Sequence, residues 1–122
     1  MILVDTSVWV DHLRAGDETL AALLNSNQVL VHPFVLGELA CGNLRQRMEV
    51  LTLLKNLPHA VVALDEEVLF FIEQHGLMGR GIGYVDAHLL AAVALDGGAR
   101  LWSRDKRLHA LGGEMGIDFT PA

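Results

Sequence analysis

Four acidic residues stand where acids are costly. Asp5 follows an apolar run in MILVDTSVW, Glu38 interrupts PFVLGELA, Asp86 opens the apolar stretch YVDAHLLAAVAL, and Asp105 comes shortly after Trp102 in ARLWSRDKRL. Each has an ordinary account. Asp5 and Asp105 sit at strand-to-helix junctions, where a carboxylate caps the free N–H groups of a first helical turn, and Ser103 is an alternative cap beside Asp105. Glu38 borders a helical face carrying Val35, Leu36 and Leu39, as a snorkelling surface glutamate does. Asp86 is the hardest to explain away: its helix is apolar on nearly every side, and a buried carboxylate requires a partner or a cation. The acids Asp17, Glu18, Glu49, Asp65, Glu66, Glu67, Glu73 and Glu114 read as caps or solvated charge.

The elements that must position these four follow from the apolar pattern. Ile2 to Val4 read as a short buried parallel strand, followed by a helix through SVWVDHLR that Gly16 ends. Asp17 caps a helix over DETLAALLNS, and Asn27 turns the chain into the strand QVLVH. Pro33 suits the first turn of the helix PFVLGELACG, and RQRMEVLTLLKN is helical up to Pro58. AVVAL reads as a further strand, Asp65 as the cap of DEEVLFFIEQH, and Gly76 as its stop. After the glycine-rich loop GLMGRGIG come the buried helix Tyr84 to Leu95, the strand ARLW, the helix DKRLHALGG and an edge strand IDFTP. Alternating strands and helices predict an α/β fold with a parallel sheet and helices on both faces.

In that arrangement the four acids share a destination. Asp5 and Asp105 lie at the carboxyl ends of parallel strands, where ligands of open α/β sheets bind, and the helices of Glu38 and Asp86 lean over the same edge. Four carboxylates gathered there repel one another unless positive charge sits among them. Mg²⁺ and Mn²⁺ prefer oxygen ligands, and Mg²⁺ typically keeps several waters while using a few carboxylates and a substrate phosphate. Such a site suits phosphodiester hydrolysis.

Composition narrows the setting. At 122 residues the chain suits one domain, residues 1–122, with no linker. A hydrophobic fraction of 52% exceeds what a domain of this size needs and points to apolar surface covered by a second subunit or another partner. Cys41 is the only cysteine, which excludes an internal disulfide and fits a reducing, cytoplasmic compartment. The longest apolar run, Leu89 to Leu95, is far too short to cross a bilayer, and no export signal is expected. A net charge of −6 argues against gripping nucleic acid through bulk positive charge.

The segments ILVDTSVW with Asp5, GELACG with Glu38, GIGYVDAHLLAA with Asp86 and LWSRDKRL with Asp105 together resemble the PIN-domain ribonucleases, and within them the VapC-type toxins of toxin–antitoxin pairs. The likeness runs along nearly the whole chain, with one departure at Leu108, where many relatives carry Phe. It implies a three-layer α/β/α fold and a Mg²⁺- or Mn²⁺-dependent endoribonuclease restrained by a cognate antitoxin. Asp5, Glu38, Asp86 and Asp105 would hold one or two metal ions, and in-line attack of water on RNA would leave 5′-phosphate and 3′-hydroxyl ends. Thr6 and Ser103 would hydrogen-bond a ligand carboxylate or water, or simply cap helices. Arg80, Arg104, Lys106 and Arg107 are the candidate RNA contacts that answer the acidic net charge; ordinary solvated charge is their other reading.

Two other readings compete. An aspartyl-phosphate phosphatase would use Asp5 as nucleophile, but usually wants a second acid where Ser7 stands. A receiver-like interaction domain would use its acids only as caps and its apolar faces for binding. The stripe Leu20, Leu23 and Leu24 and the run Val50, Leu51, Leu53 and Leu54 are core by default, or docking surface for a dimer mate or antitoxin helix. The six histidines show no zinc-type pairing and read as ordinary side chains.

Overall fold

The computed structural model describes residues 1–121. At its centre is β1 (Ile2–Val4), flanked by β2 (Val29–Leu30) and β3 (Arg100–Trp102) in the order β2-β1-β3. Both pairings are parallel, with Leu3 opposite Leu30 on one side and Leu101 on the other. Leu3 and Val4 are completely buried although neighbouring strand residues point to opposite faces, so both faces of the sheet are covered. The covering is helical. The chain forms α1 (Thr6–Ala15), α2 (Glu18–Asn25), α3 (Pro33–Ala40), α4 (Arg47–Lys55), α5 (Asp65–His75), α6 (Tyr84–Leu95) and α7 (Lys106–Glu114).

Most helix boundaries lie where capping chemistry puts them. Gly16 takes φ +78° and its N–H closes on the His12 carbonyl to end α1. Asp17 Oδ1 accepts the Leu20 N–H at 2.9 Å to start α2. Gly76, in the left-handed region at φ +61°, stops α5. The seven consecutive residues Ala87 to Val93 of α6 are buried, which is why that stretch carries apolar residues all round and no amphipathic stripe. Of the two apolar stripes, Leu20 and Leu54 join the core and Leu23, Leu24, Val50 and Leu51 pack against it, while Leu53 points outward. Leu108, the one departure from the family pattern, is completely buried.

Two expected strands shrink to single bridges. Ahead of residues 60–64, His59 alone pairs with Val31, fixed by Val31 N–H to the Pro58 carbonyl and Ala60 N–H to the Val31 carbonyl. The neighbouring strand is used up there, because His32 already caps α3, and Val61 and Val62 are left exposed. At the other edge, Asp118 bridges Leu101 alone, held by Leu101 N–H to Ile117 and Phe119 N–H to Leu101. The cap of α5 also differs from expectation: Leu64 occupies the cap position and the Glu67 carboxylate accepts its N–H at 2.8 Å. Asp65 is the first helical residue and faces the side chains of Tyr84 and His88 instead.

The start of α3 rests on an unusual cap. His32 is completely buried, and its Nδ1 accepts the Phe34 N–H at 3.1 Å ahead of Pro33. Burial, reinforced by the neighbouring His88, pushes the His32 imidazole down to about 4 from an ordinary 6.5. The unfolded chain therefore takes up a proton near pH 6.5 that the folded chain refuses until about pH 4. Stability from His32 is complete above pH 6.5 and is lost as pH falls through that window. Urea unfolding should show a loss of about 2 kcal/mol from this residue between pH 7 and pH 5. His32→Asn, which keeps a short capping acceptor, should flatten the slope.

Candidate active site

The four candidate acids reach one rim from four different elements. Asp5 terminates β1, Asp105 precedes α7, Glu38 projects from the second turn of α3 and Asp86 from the first turn of α6. Asp86 is the point where they meet electrostatically. Its carboxyl is held above the usual carboxylate range, first by burial and then, against a stabilising Gly83 N–H, by the charges of Asp5, Asp105 and Glu38. Like charges only do this at short range in a poorly solvated place.

Asp5 occupies the cap position of α1, but its side chain makes no capping bond. It is buried, and its Oδ2 accepts two hydroxyls, from Ser7 and from Ser103, each at 2.8 Å. Those hydroxyls are themselves fixed: Ser7 Oγ accepts the Arg104 N–H and Ser103 Oγ the Asp105 N–H, both at 3.0 Å. Oδ2 is thus saturated from the protein side, and Oδ1 is the oxygen left to the rim. Asp105 divides its labour in the same way. Oδ1 caps α7, accepting the Arg107 and Leu108 N–H groups at 3.0 Å each, which leaves Oδ2 without a protein donor. Glu38 is exposed and takes the Thr6 hydroxyl on Oε1 at 2.6 Å.

Among the described residues no three His, Cys, Asp or Glu side chains are gathered tightly enough to form a ready-made metal cage. The donor set nevertheless suits a hard divalent cation. Mg²⁺ is ordinarily held through one or two carboxylates, its remaining positions filled by water and substrate oxygens. Here the ligand atoms are all oxygen, and the uncommitted oxygens of Asp5 and Asp105 belong to side chains already braced by the protein.

Of the four basic candidates, three are engaged. The Arg104 guanidinium forks between Asp11 at 2.6 Å and Asp17 at 2.5 Å and lies over the Trp102 ring, 5.7 Å from its centre. Arg80 pairs with Glu114 at 2.5 Å. Arg107 packs over Gly81, which at φ +85° leaves no room for a Cβ beneath it. Lys106 is exposed and makes no ion pair among the described residues. The parts that sequence reading passed over are the partners: Ser7, Asp11 and Asp17 carry no local signal of the bonds they make to a loop some ninety residues away.

Comparison with known proteins decides the kinship. The PIN domain family model matches residues 2–114. Ribonuclease VapC32 of Mycobacterium tuberculosis, in strains CDC 1551 / Oshkosh and H37Rv alike, is 54% identical over 117 residues, covering 96% of this chain and 94% of the relative. The chain belongs to the PIN-domain family, with the VapC ribonucleases. The crystal structure of FitAcB from Neisseria gonorrhoeae shares the fold at a TM-score of 0.60 and 22% identity, covering 93% of this PIN domain and 94% of that chain.

The repulsion around Asp86 has a measurable consequence for the PIN domain. A carboxyl whose pKa is raised by folding costs stability as pH climbs from its ordinary value, and the cost is complete above the raised one. Asp86→Asn removes the charge and keeps an oxygen for the Gly83 N–H, so in EDTA at pH 7 to 8 its melting temperature should exceed that of the parent chain. An equal or lower value would show that the acids do not oppose one another in the cation-free fold.

Proposed function

We propose that this chain, as one unit over residues 1–122, is a divalent-metal-dependent endoribonuclease acting as the toxin of a toxin–antitoxin pair. The observation that carries the reading is the placement of Asp86 in the field of Asp5, Glu38 and Asp105, in a chain 54% identical to a ribonuclease. Asp5 and Asp105 would hold Mg²⁺ or Mn²⁺ through their uncommitted oxygens, with Glu38 and Asp86 contributing directly or through water. Once bound, the cation lowers the pKa of a water and offsets charge developing on the phosphate. The chain's own part is positioning. Ser7 and Ser103 hold Asp5 in one rotamer, Thr6 restrains Glu38, and the Asp105 cap fixes the entry to α7. Hydrolysis leaves 5′-phosphate and 3′-hydroxyl ends. RNA is drawn to the rim by Lys106 and Arg107, because Arg80 and Arg104 are occupied by carboxylates.

A groove of about 830 Å³ opens beside Thr6 and Glu38. Val10, Leu13, Leu39 and Val50 line it, with Arg14 and Arg45 at its margins. This apolar channel, continuous with the acidic rim, suits an antitoxin segment that blocks the site as it docks. The exposed Leu69 and Phe70 of α5, with Leu95 at the end of α6, suit a second copy of the chain. No described helix is long and apolar enough to cross a membrane, and we place the protein in the cytoplasm, where its RNA substrates are.

Cleavage of total RNA should need Mg²⁺ or Mn²⁺ and stop in EDTA. Asp5→Asn and Asp86→Asn should each lower it on the order of 100-fold. At a cation concentration about 100 times Kd, the parent chain should gain about 2.7 kcal/mol of stability, and the double variant almost none. Cation-independent cleavage by homogeneous protein would remove the assignment. Lys106→Ala should weaken RNA binding and shrink the slope of log K against log salt by about 1, whereas Arg104→Ala should act mainly through stability.

A further inference from the structure

Among the described residues four buried side-chain nitrogens lack a hydrogen-bond partner, Trp9 Nε1, His32 Nε2, His88 Nδ1 and His109 Nδ1, and two of them belong to neighbouring rings. His32, at the end of the β2 segment, and His88, in α6, are buried side by side with ring centroids 6.3 Å apart. Each has one nitrogen without a hydrogen-bond partner among the described residues: Nε2 of His32 and Nδ1 of His88. Their other nitrogens decide what these two atoms are. His32 Nδ1 accepts the Phe34 N–H, so it carries the lone pair and the neutral ring bears its proton on Nε2. His88 Nε2 lies 3.2 Å from Asp65 Oδ1, an acceptor that the Tyr84 hydroxyl also meets at 2.9 Å. That nitrogen donates, and in the neutral ring this leaves Nδ1 with a lone pair. The two orphaned atoms are therefore a donor and an acceptor.

We propose that one buried water molecule joins His32 Nε2 to His88 Nδ1. A direct N–H···N bond of about 2.9 Å would bring the ring centroids to roughly 5 Å. At 6.3 Å the rings are too far apart for that, yet suit two bonds of about 2.8 Å bent at a shared oxygen. A water accepts from one histidine and donates to the other, matching both valences beside the Phe34 ring, which packs against both histidines. A transition metal does not match them, because His32 Nε2 keeps its proton for as long as Nδ1 holds the Phe34 amide. The water completes a relay of Tyr84, Asp65, His88, water, His32 and the first amide of α3. It couples α6, which carries Asp86, to α3, which carries Glu38. The inference stands on the hydrogen-bond valences and the ring separation and does not rest on the catalytic role of either acid.

Long-range ¹H–¹⁵N spectra of the full chain in EDTA at pH 7.5 should show both rings as the Nε2–H tautomer. The His32 ring proton should give an exchange-edited contact to water, and a crystal structure at atomic resolution should place one density peak within hydrogen-bond distance of both nitrogens. His88 protonated on Nδ1, direct contact between the rings, a metal peak, or no peak would each overturn the proposal. His88→Phe keeps a ring but removes the acceptor. It should abolish the water contact and speed hydrogen exchange at the Phe34 amide roughly 5- to 10-fold. Unchanged exchange in a folded variant would refute the coupling between helices; should that variant not fold, the parent chain's tautomers and density still decide.

Discussion

The structure turns on one oxygen atom. Oδ2 of Asp5 receives the hydroxyls of Ser7 and Ser103, residues from opposite ends of the chain, and each hydroxyl passes the restraint on to the backbone of the loop that carries Asp105. Asp5 is also joined through its own backbone, its N–H bonding the Trp102 carbonyl at 2.9 Å as the β1–β3 ladder ends. A buried carboxylate in a sheet-edge pocket is expensive, and hydrogen bonds from fixed donors are what make it tolerable. The same bonds that offset its burial fix the separation of the two strand ends. The fold and the geometry of the rim are consequently set by one network, and loosening one loosens the other.

Around that fixed point the charges are arranged at the expense of stability. Asp86 is kept in a poorly solvated place near three other acids, with one Gly83 N–H at 3.4 Å as its protein donor. The cations that might have quenched this field are employed a short way off. Arg104 binds Asp11 and Asp17, tying the loop after β3 to α1 and to the cap of α2, and the Asp17 carboxyl is held below its usual range by the Leu20 N–H and by Arg104. The distribution is uneven: outside the rim Asp11, Asp17 and Glu114 are paired with arginine, while the acids within it face one another. Concentrated unpaired negative charge is what a site for a mobile divalent cation requires, since a resident arginine would occupy the same oxygens.

How much of this the sequence disclosed depended on whether the cause was local. Parallel strands buried on both faces read as apolar runs, and Ile2–Val4, Val29–Leu30 and Arg100–Trp102 were legible for that reason. AVVAL carries the same pattern yet forms no strand, because strand formation needs a neighbour with free backbone groups and β2 runs out at Val31. Caps at Asp17 and Gly76, and the N1 proline of α3, follow from single residue types and were readable. Asp65 was misplaced by one position because Glu67, three residues after Leu64, supplies the capping acceptor. The four acids stood out because each interrupts an apolar segment. Arg104 was legible only as a candidate RNA contact and Ser7 only as the place of a missing acid, since the bonds they make arise when residues more than ninety positions apart come into contact.

The opening alternatives, cap or functional acid, are not exclusive once oxygens are counted instead of residues. A carboxylate has two of them, and a helix start needs only one. Asp105 gives Oδ1 to the amides of Arg107 and Leu108 and retains Oδ2, while Asp5 gives Oδ2 to two serines and retains Oδ1. In each case the structural bonds define which oxygen remains free and in which direction it is held. A cation bridging such oxygens would meet ligands whose rotamers are already fixed, so little side-chain entropy would be lost on binding. The serine hydroxyls at Asp5 and the helix cap at Asp105 would therefore preorganise the rim, and the structural and chemical readings of the same acid are compatible.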